Sequence, residues 1–159
     1  MIEVGETAPA FTLEGVSDGE MGEFGLDDAG DRPVVLSFYV YDFSPVCTDQ
    51  MCELNDMEFL TFNDEAAVFG VSTDGPYAHR EFAASNDLSY PLLSDPFMEV
   101  YEDYGLLVEK DGREVPHRGI VVLDADRTIR YRWVAEERFA DWQTGPMREA
   151  NRTVRELTR

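Results

Sequence analysis

The sequence has little positive charge, and almost none of it comes from lysine. Lys110 is the single lysine, and 13 basic residues stand against 33 acidic ones, which gives a formal net charge of -20. A surface this acidic repels polyanions, so nucleic acid and anionic membranes are not expected as partners. In molar salt the Debye length falls to about 3 Å, and self-repulsion of such a surface is then screened. The composition therefore favours a protein adapted to high salt over an ordinary acidic surface.

Long apolar runs and targeting patterns are missing as well. No stretch approaches the roughly 18 apolar residues of a membrane-spanning helix. The opening residues MIEVGETAPAF contain no basic segment followed by an apolar one, as a secretory signal would. We therefore expect a soluble cytoplasmic protein. At 159 residues the chain is long enough to bury a core without disulfide or metal support, so we expect one domain over residues 1–159.

Cysteine is scarce, and both copies, Cys47 and Cys52, lie in the segment FSPVCTDQMC. In a reducing compartment such a pair is more often catalytic or metal-binding than a permanent disulfide. A Cys-x-x-Cys motif is missing, which weighs against a disulfide exchanger of the thioredoxin type. A zinc site that adds His79 and His117 is disfavoured, because zinc ligands usually pair in short clusters and these histidines lie far apart in sequence. We therefore expect thiol chemistry without a metal or other cofactor.

Strand and helix patterns alternate along the chain. The run VVLSFYV predicts a buried strand over 34–40, and helical spacing after Ser44 and Pro45 predicts a helix from 46 to about 62. The other predicted elements are a glycine-rich hairpin and loop that decorate the fold (15–33), a strand (66–72), a helix (76–87), a short strand (90–95), a short helix (97–105), a hairpin (118–134) and an amphipathic helix (147–157). This order predicts a three-layer α/β sandwich with a mixed sheet.

The positions of the two cysteines in the predicted helix bear on their chemistry. Cys47 falls in the first turn, where unpaired N–H groups and the helix dipole stabilise a thiolate, although a buried structural cysteine is an equal alternative on position alone. Positions five apart on an intact helix lie about 8 to 9 Å apart between Cα atoms, whereas a disulfide needs less than about 7 Å. A Cys47–Cys52 bond therefore requires the helix start to unwind, which suits a cycle that passes from a sulfenic acid at Cys47 to a disulfide.

These motifs resemble the peroxiredoxins of the AhpC/TSA superfamily, most closely the bacterioferritin comigratory protein or PrxQ-like branch. In that branch the resolving cysteine follows the peroxidatic one by five residues. The resemblance covers nearly the whole chain, from GETAPAFTL through FGVSTDGPYAHREFAASNDLSYPLLSD to Arg118 before GIVVLD. It implies a thioredoxin-like fold with an N-terminal hairpin extension, and reduction of hydrogen peroxide and organic hydroperoxides by a thiol. Thioredoxin, glutaredoxin or a small thiol would be the reductant.

Carried over residue by residue, the resemblance implies roles for four side chains. Cys47 corresponds to the peroxidatic cysteine and Cys52 to the resolving one. Ser44 corresponds to the active-site hydroxyl that would bond a peroxide oxygen, and Arg118 to the arginine that would hold the thiolate and polarise the peroxide. The ordinary alternatives are a helix N-cap for Ser44 and a surface position for Arg118.

One position departs from the family pattern Pro-x-x-x-Thr/Ser-x-x-Cys, since Val40 occupies the place of the proline. A proline there would shield the cysteine and rigidify the loop. We therefore expect slower turnover or easier overoxidation than in a relative that carries the proline.

Two other classes of protein stay open on the residues alone. A redox sensor or interaction protein would use the Cys47–Cys52 disulfide to change partners, and it would oxidise once without turning over peroxide. A structural thioredoxin-fold module would leave Cys47 unreactive. Solvated surface positions are expected for His79 and His117, and Gln50 receives no role. Monomer and homodimer are both open, because three aromatic residues fit either a core or an interface: Phe43, Tyr77 and Phe97.

Overall fold

The computed structural model describes residues 2–57, 65–137 and 141–158. The strands within these residues are β1 (Thr12–Ser17), β2 (Glu20–Gly25), β3 (Val34–Phe38), β4 (Ala67–Ser72), β5 (Leu92–Ser94), β6 (Leu107–Lys110), β7 (Arg113–Pro116), β8 (Gly119–Leu123) and β9 (Ile129–Val134). The helices of the same described residues are α1 (Pro45–Asn55), α2 (Pro76–Asn86), α3 (Glu99–Asp103) and α4 (Gly145–Leu157), with a short 3-10 helix at Leu26–Ala29.

A seven-stranded mixed sheet forms the centre of the fold, in the order β2-β1-β5-β4-β3-β8-β9. The three central neighbours β5, β4 and β3 run parallel, while β8 and β9 continue the sheet antiparallel. Parallel strands are joined by crossovers that carry helices, so α1 and α2 follow directly from the strand-helix alternation of the sequence. The predicted mixed sheet is confirmed.

The sheet buries apolar side chains on both faces, and the alternation of β3 shows how. Val35 points into a core that it shares with residues of α1, α2 and α4, among them Met51, Phe82 and Met147. Its neighbour Val34 points into the other core, which is closed by α3 and the 3-10 helix. Side chains of a strand alternate between faces, so a strand covered on both sides reads as one apolar run. The predicted three-layer α/β sandwich is confirmed.

The N-terminal hairpin is part of the sheet, so its description as decoration was wrong. Gly15 and Val16 of β1 pair with Leu93 and Leu92 of β5. A Cβ at Gly15 would lie 2.5 Å from the carbonyl oxygen of Leu92, so a residue without a side chain is needed for this pairing. Glycine marks a close approach of two strands here, in addition to the turn.

A second hairpin was missed in the sequence. β6 and β7 form a separate two-stranded sheet around Asp111 and Gly112, which both have positive φ angles, 52° and 79°. Positive φ at both central residues is the mark of a type I′ turn, for which Asp-Gly is a strong signal.

The helix that carries both cysteines is shorter than predicted. α1 ends at Asn55, while the prediction extended it to about 62, of which residues 58–62 lie outside the described part of the chain. Below this helix, Gly70 of β4 leaves space for α1, because a Cβ there would come within 2.5 Å of Cε of Met51. Among the described residues no helix is long and apolar enough to cross a membrane.

Candidate active site

The connection from β3 to α1 positions Cys47. Pro45 occupies the first turn of α1, where its fixed φ favours helix and its missing N–H is not needed. The backbone N–H and the hydroxyl of Thr48 both donate to the carbonyl oxygen of Ser44, at 2.8 Å each, and so fix the first turn. Cys47 follows within that turn, and its side chain is buried. The predicted position of Cys47 at the start of a helix is confirmed.

Arg118 reaches the cysteine from the neighbouring strand. It directly precedes β8, whose first residue Gly119 pairs with Phe38 at the end of β3. Its Nη1 atom lies 3.2 Å from Sγ of Cys47, and the side chain is buried, with 2% of its surface exposed. The surface alternative for Arg118 is therefore wrong. A guanidinium group stays protonated in proteins, so this contact places a permanent positive charge beside the sulfur.

Gln50 is a site residue that the sequence reasoning left without a role. Its Oε1 accepts a hydrogen bond from Nη1 of Arg118 at 2.7 Å. Its Nε2 donates to Oγ of Ser37 at 2.7 Å and to the carbonyl oxygen of Phe38 at 3.2 Å. The amide thus links the arginine to strand β3. The sequence indicates a place near the sulfur only through position, because Gln50 follows Cys47 by three residues and so lies on the same face of the helix.

Cys52 lies in α1 with Cys47, and both are free thiols. Its thiol donates to Oδ1 of Asn86 at 3.7 Å, at the end of α2. Burial raises the pKa of the Cys52 thiol, and the negative charges of Asp56 and Asp49 raise it further. Because the two sulfurs belong to one continuous helix, a disulfide between them requires a change of conformation.

Ser44 and Val40 flank the site on the loop before α1. Ser44 occupies the N-cap position of α1 and is half-buried, and its hydroxyl makes no capping hydrogen bond. The helix start is fixed by the backbone of this serine. Val40 is buried and belongs to the core shared with Cys47. An apolar side chain therefore fills the place of the family proline.

The prediction of a solvated surface was wrong for both histidines. His79 is buried in α2, with Nδ1 at 2.8 Å from Oδ2 of Asp42 and Nε2 at 3.0 Å from the carbonyl oxygen of Leu93. The hydroxyl of Tyr39 donates to Oδ1 of Asp42 at 2.6 Å. Both ring nitrogens face oxygen acceptors, so the ring is held by polar partners that sequence periodicity does not reveal.

His117 is also buried, with Nδ1 at 3.0 Å from the carbonyl oxygen of Ala135. Two of the four residues considered for zinc have other partners, since Cys47 bonds to Arg118 and His79 bonds to Asp42. Within the described ranges no group of three metal-binding side chains is close enough to hold an ion.

The three aromatic residues left open between core and interface are exposed. Phe43 has 53% of its surface exposed, Tyr77 72% and Phe97 82%. Phe43 also has a positive φ of 67° and packs edge-to-face on Phe82, with ring centroids 5.2 Å apart. An aromatic residue rarely adopts this backbone conformation, so the loop before Cys47 is strained at this point.

The fold and the site together define an α/β protein in which a buried arginine bonds the cysteine in the first turn of a helix. The chain belongs to the AhpC/TSA family, whose model matches residues 4–132.

Individual relatives agree with this assignment. A bcp-type peroxiredoxin of Coxiella burnetii is 35% identical over 136 residues, which cover 83% of this chain and 88% of the relative. A thioredoxin peroxidase of Echinococcus granulosus is 30% identical over 134 residues, 80% of this chain and 68% of the relative. The crystal structure of peroxidoxin BcpB from Mycobacterium tuberculosis matches with a TM-score of 0.83 and 28% identity, covering 99% of both chains. These matches confirm the predicted peroxiredoxin branch, the thioredoxin-like fold and the class of enzyme, a thiol-dependent peroxidase.

Proposed function

We propose that this chain reduces hydrogen peroxide and organic hydroperoxides with Cys47 as the peroxidatic cysteine and Cys52 as the intramolecular resolving cysteine. The observation that carries the proposal is the 3.2 Å contact between Nη1 of Arg118 and Sγ of Cys47. A thiolate is the nucleophile in thiol chemistry, and the arginine supplies a charge that stabilises it.

In the first step the thiolate of Cys47 attacks one oxygen of the peroxide and the O–O bond breaks. The sulfur is oxidised to sulfenic acid, and the leaving oxygen takes a proton and departs as water or alcohol. Arg118 polarises the peroxide, and the hydroxyl of Ser44 donates to one of its oxygens. The backbone N–H groups at the start of α1, near Val46 and Cys47, stabilise the charge that develops.

In the second step the Cys52 thiolate attacks the sulfenic sulfur of Cys47. The S–S bond forms, the S–O bond breaks, and the hydroxyl leaves as water after taking a proton. An external thiol then reduces the disulfide. The similarity to a thioredoxin peroxidase supports a thioredoxin-like reductant, with glutaredoxin or a small thiol as alternatives.

We also propose the setting in which the enzyme works. The net charge of -20 supports a protein adapted to high salt, and hydrogen peroxide is neutral, so the acidic surface neither attracts nor repels it. We expect a cytoplasmic protein with one domain over residues 1–159 that is a monomer or a homodimer. Full stability in dilute buffer would contradict the adaptation to salt.

The test of the peroxidase is a rapid-mixing experiment in high-salt buffer. Reduced protein is mixed with one equivalent of hydrogen peroxide, tryptophan fluorescence is followed, and the product is analysed by mass spectrometry. Trp133 lines the same cleft as Arg118, so its fluorescence is expected to respond. We expect a fast reaction that ends in a Cys47–Cys52 disulfide, and loss of this reaction in Cys47→Ser. A wild-type rate no faster than that of a free thiol would overturn the proposal.

Turnover separates the enzyme from the sensor. With thioredoxin and its reductase added, an enzyme consumes many equivalents of peroxide per protein. A sensor consumes one equivalent and then stops.

A further inference from the structure

The two halves of α1 are attached to the rest of the molecule by different groups. The half that carries Cys47 is attached through Arg118, which bonds both Cys47 and Gln50. The half that carries Cys52 ends at Asn55, whose side chain contacts the loop between α2 and β5. Any disulfide between the cysteines requires at least one of these halves to leave its place.

Asn55 binds that loop through both ends of its amide. Its Nδ2 donates to the carbonyl oxygen of Asp87 at 3.0 Å. Its Oδ1 accepts from the backbone N–H of Ser89 at 2.9 Å and from the Ser89 hydroxyl at 2.8 Å. An amide satisfied as donor and acceptor by two residues of one loop fixes the end of the helix in position and direction.

The loop that receives Asn55 is itself firmly placed. Asp87 ends α2 in the left-handed conformation, with φ at 51°, and the N–H of Leu88 bonds to the carbonyl oxygen of Ala83 at 3.0 Å. The hydroxyl of Tyr90 donates to the carbonyl oxygen of Met51 at 2.6 Å in a buried position. The same loop therefore supports α1 at two points, before and after Cys52.

Trp142 also binds the half of α1 that carries Cys52. Nε1 of Trp142 donates to Oε2 of Glu53 at 2.8 Å. The bonds made by Asn55, Tyr90 and Trp142 involve neither Cys47 nor Arg118. Oxidation of Cys47 therefore leaves their partners chemically unchanged.

The attachment of the Cys47 half is different, because the reaction itself changes it. Arg118 bonds the sulfur, and a charge-assisted hydrogen bond is about twice as strong as a neutral one. When the thiolate becomes a neutral sulfenic acid, Arg118 keeps its charge but the sulfur loses its own, so the attraction between opposite charges is lost. Oxidation thus weakens the hold on one half of α1 and not on the other.

We propose that Asn55 is a positioning residue for disulfide formation: it holds the Cys52 half of α1 on the 87–90 loop while the oxidised Cys47 half unwinds and moves to it. This inference rests on the proposed peroxidase function. A fixed Cys52 restricts the conformations among which the sulfenic acid must find it, and so raises its effective concentration.

Two reactions compete for the sulfenic acid at Cys47, and their ratio reports the position of Cys52. Attack by Cys52 forms the disulfide and releases water. A second hydrogen peroxide instead transfers an oxygen to the sulfur, giving sulfinic acid and water. A misplaced Cys52 shifts the ratio toward sulfinic acid at any fixed peroxide concentration.

The experiment compares Asn55→Ala with wild type, using rapid quench and mass spectrometry to separate Cys47 oxidation from disulfide formation. The change removes three hydrogen bonds to the loop, so we expect disulfide formation to slow roughly tenfold. The sulfinic acid share is expected to rise, while the rate of Cys47 oxidation stays at the wild-type value. Unchanged or faster disulfide formation in Asn55→Ala would overturn the inference.

Two further variants guard against a general loss of structure. Ser89→Ala removes the hydroxyl bond alone, and we expect a smaller effect in the same direction. Asn55→Asp keeps an acceptor for Ser89, and we expect it to restore part of the disulfide rate. An effect of Asn55→Ala that matched its loss of unfolding free energy, with no recovery in Asn55→Asp, would indicate a structural role only and overturn the inference.

Hydrogen exchange of the reduced and disulfide forms tests the direction of the movement. We expect amides at 48–54 to lose protection on oxidation, because their helical bonds go to carbonyl groups at the unwound start of α1, and those at 55–57 to keep it. Equal loss over both stretches would overturn the inference. Failure of the proposed function gives a different result, because wild-type Cys47 would then react slowly with peroxide in the first place.

Discussion

Arg118 Nη1 lies 3.2 Å from Sγ of Cys47, although the two residues are 71 positions apart in the chain. The pairing of β3 with β8 brings them together, because Phe38 and Gly119 are direct partners in the antiparallel ladder. The same nitrogen bonds Gln50, so the guanidinium is oriented from α1 as well as held near the sulfur. The charge beside the cysteine is thus positioned by sheet register and by the helix together.

Replacing this arginine is expected to slow peroxide reduction strongly. Lysine keeps a positive charge but lacks the planar group that contacts both Cys47 and Gln50. A hydrogen bond to a charged group is worth about 1.5 to 3 kcal/mol, so Arg118→Lys is expected to lower the second-order rate of Cys47 oxidation by roughly 10- to 100-fold. Arg130→Lys, at a partly exposed ion pair with Asp124, is the matched control. Equal rates for wild type and Arg118→Lys would contradict this role.

Removal of the amide at Gln50 is expected to act through the arginine. Gln50→Ala removes the acceptor at 2.7 Å from Arg118 and leaves Oγ of Ser37 without this donor. We expect the rate of Cys47 oxidation to fall by roughly tenfold, less than for the lysine variant, because the charge itself remains. Stopped-flow kinetics with Arg118→Lys and the double variant measures the coupling. Fully additive effects would show that the two residues act independently.

The raised pKa of Cys52 predicts how disulfide formation depends on pH. The thiolate fraction is small at neutral pH, so the rate of disulfide formation should rise as the pH is raised through and beyond the usual range of a thiol, near 8.5. Asp56→Asn removes one of the negative charges that raise this pKa, and molar salt screens them. Both changes are expected to increase the rate at neutral pH, as measured by rapid quench. A rate independent of pH between 7 and about 9 would contradict the assignment of Cys52 as the attacking thiol.

The buried pair of His79 and Asp42 predicts a large loss of stability. His79→Leu leaves the Asp42 carboxylate buried, with 2% of its side chain exposed and its histidine partner gone. Losing a hydrogen bond to a buried carboxyl group costs about 1.5 to 3 kcal/mol of the free energy of unfolding. Chemical denaturation in high-salt buffer measures this value. His117→Leu, which loses one bond to a backbone carbonyl, serves as the control and should cost less.

Because Val40 stands in the place of the family proline, restoring the proline is expected to improve the enzyme. Val40→Pro is expected to raise peroxide turnover or lower the yield of sulfinic acid, because proline shields the cysteine and stiffens the loop. Val40→Ala removes side-chain volume without fixing φ and separates loss of packing from the effect of the ring. Peroxidase kinetics and sulfinic acid yield that both match wild type would count against this expectation.

Local patterns were sufficient to predict the place of Cys47 and most of the elements, although not the β6–β7 hairpin. The run over 34–40 contains β3, and Pro45 marks the start of α1, because both signals depend on neighbouring residues only. Arg118 was assigned through the family resemblance, since its contact with Cys47 depends on the pairing of distant strands. The partners of Gln50 and Asn55 depend likewise on how the layers pack.

The surroundings of the histidines and of the N-terminal hairpin also depend on distant residues, and local patterns predicted them wrongly. A polar residue in a helix is usually solvated, and His79 is buried only because Asp42 and Leu93 supply partners from other elements. The glycines of the hairpin predict turns from the sequence alone, whereas Gly15 also allows β1 to approach β5.

Because Gly70 has no side chain, α1 can pack close to strand β4 of the sheet. An alanine there would meet Cε of Met51 at 2.5 Å and force that side chain to move. Sδ of Met51 accepts a bond from Oγ of Ser37 at 3.6 Å, and that hydroxyl in turn accepts from Gln50. A methyl group added at Gly70 would therefore disturb the hydrogen bonds through which Ser37 and Gln50 position Arg118. A residue that takes no part in the chemistry thus acts as a spacer for those that do.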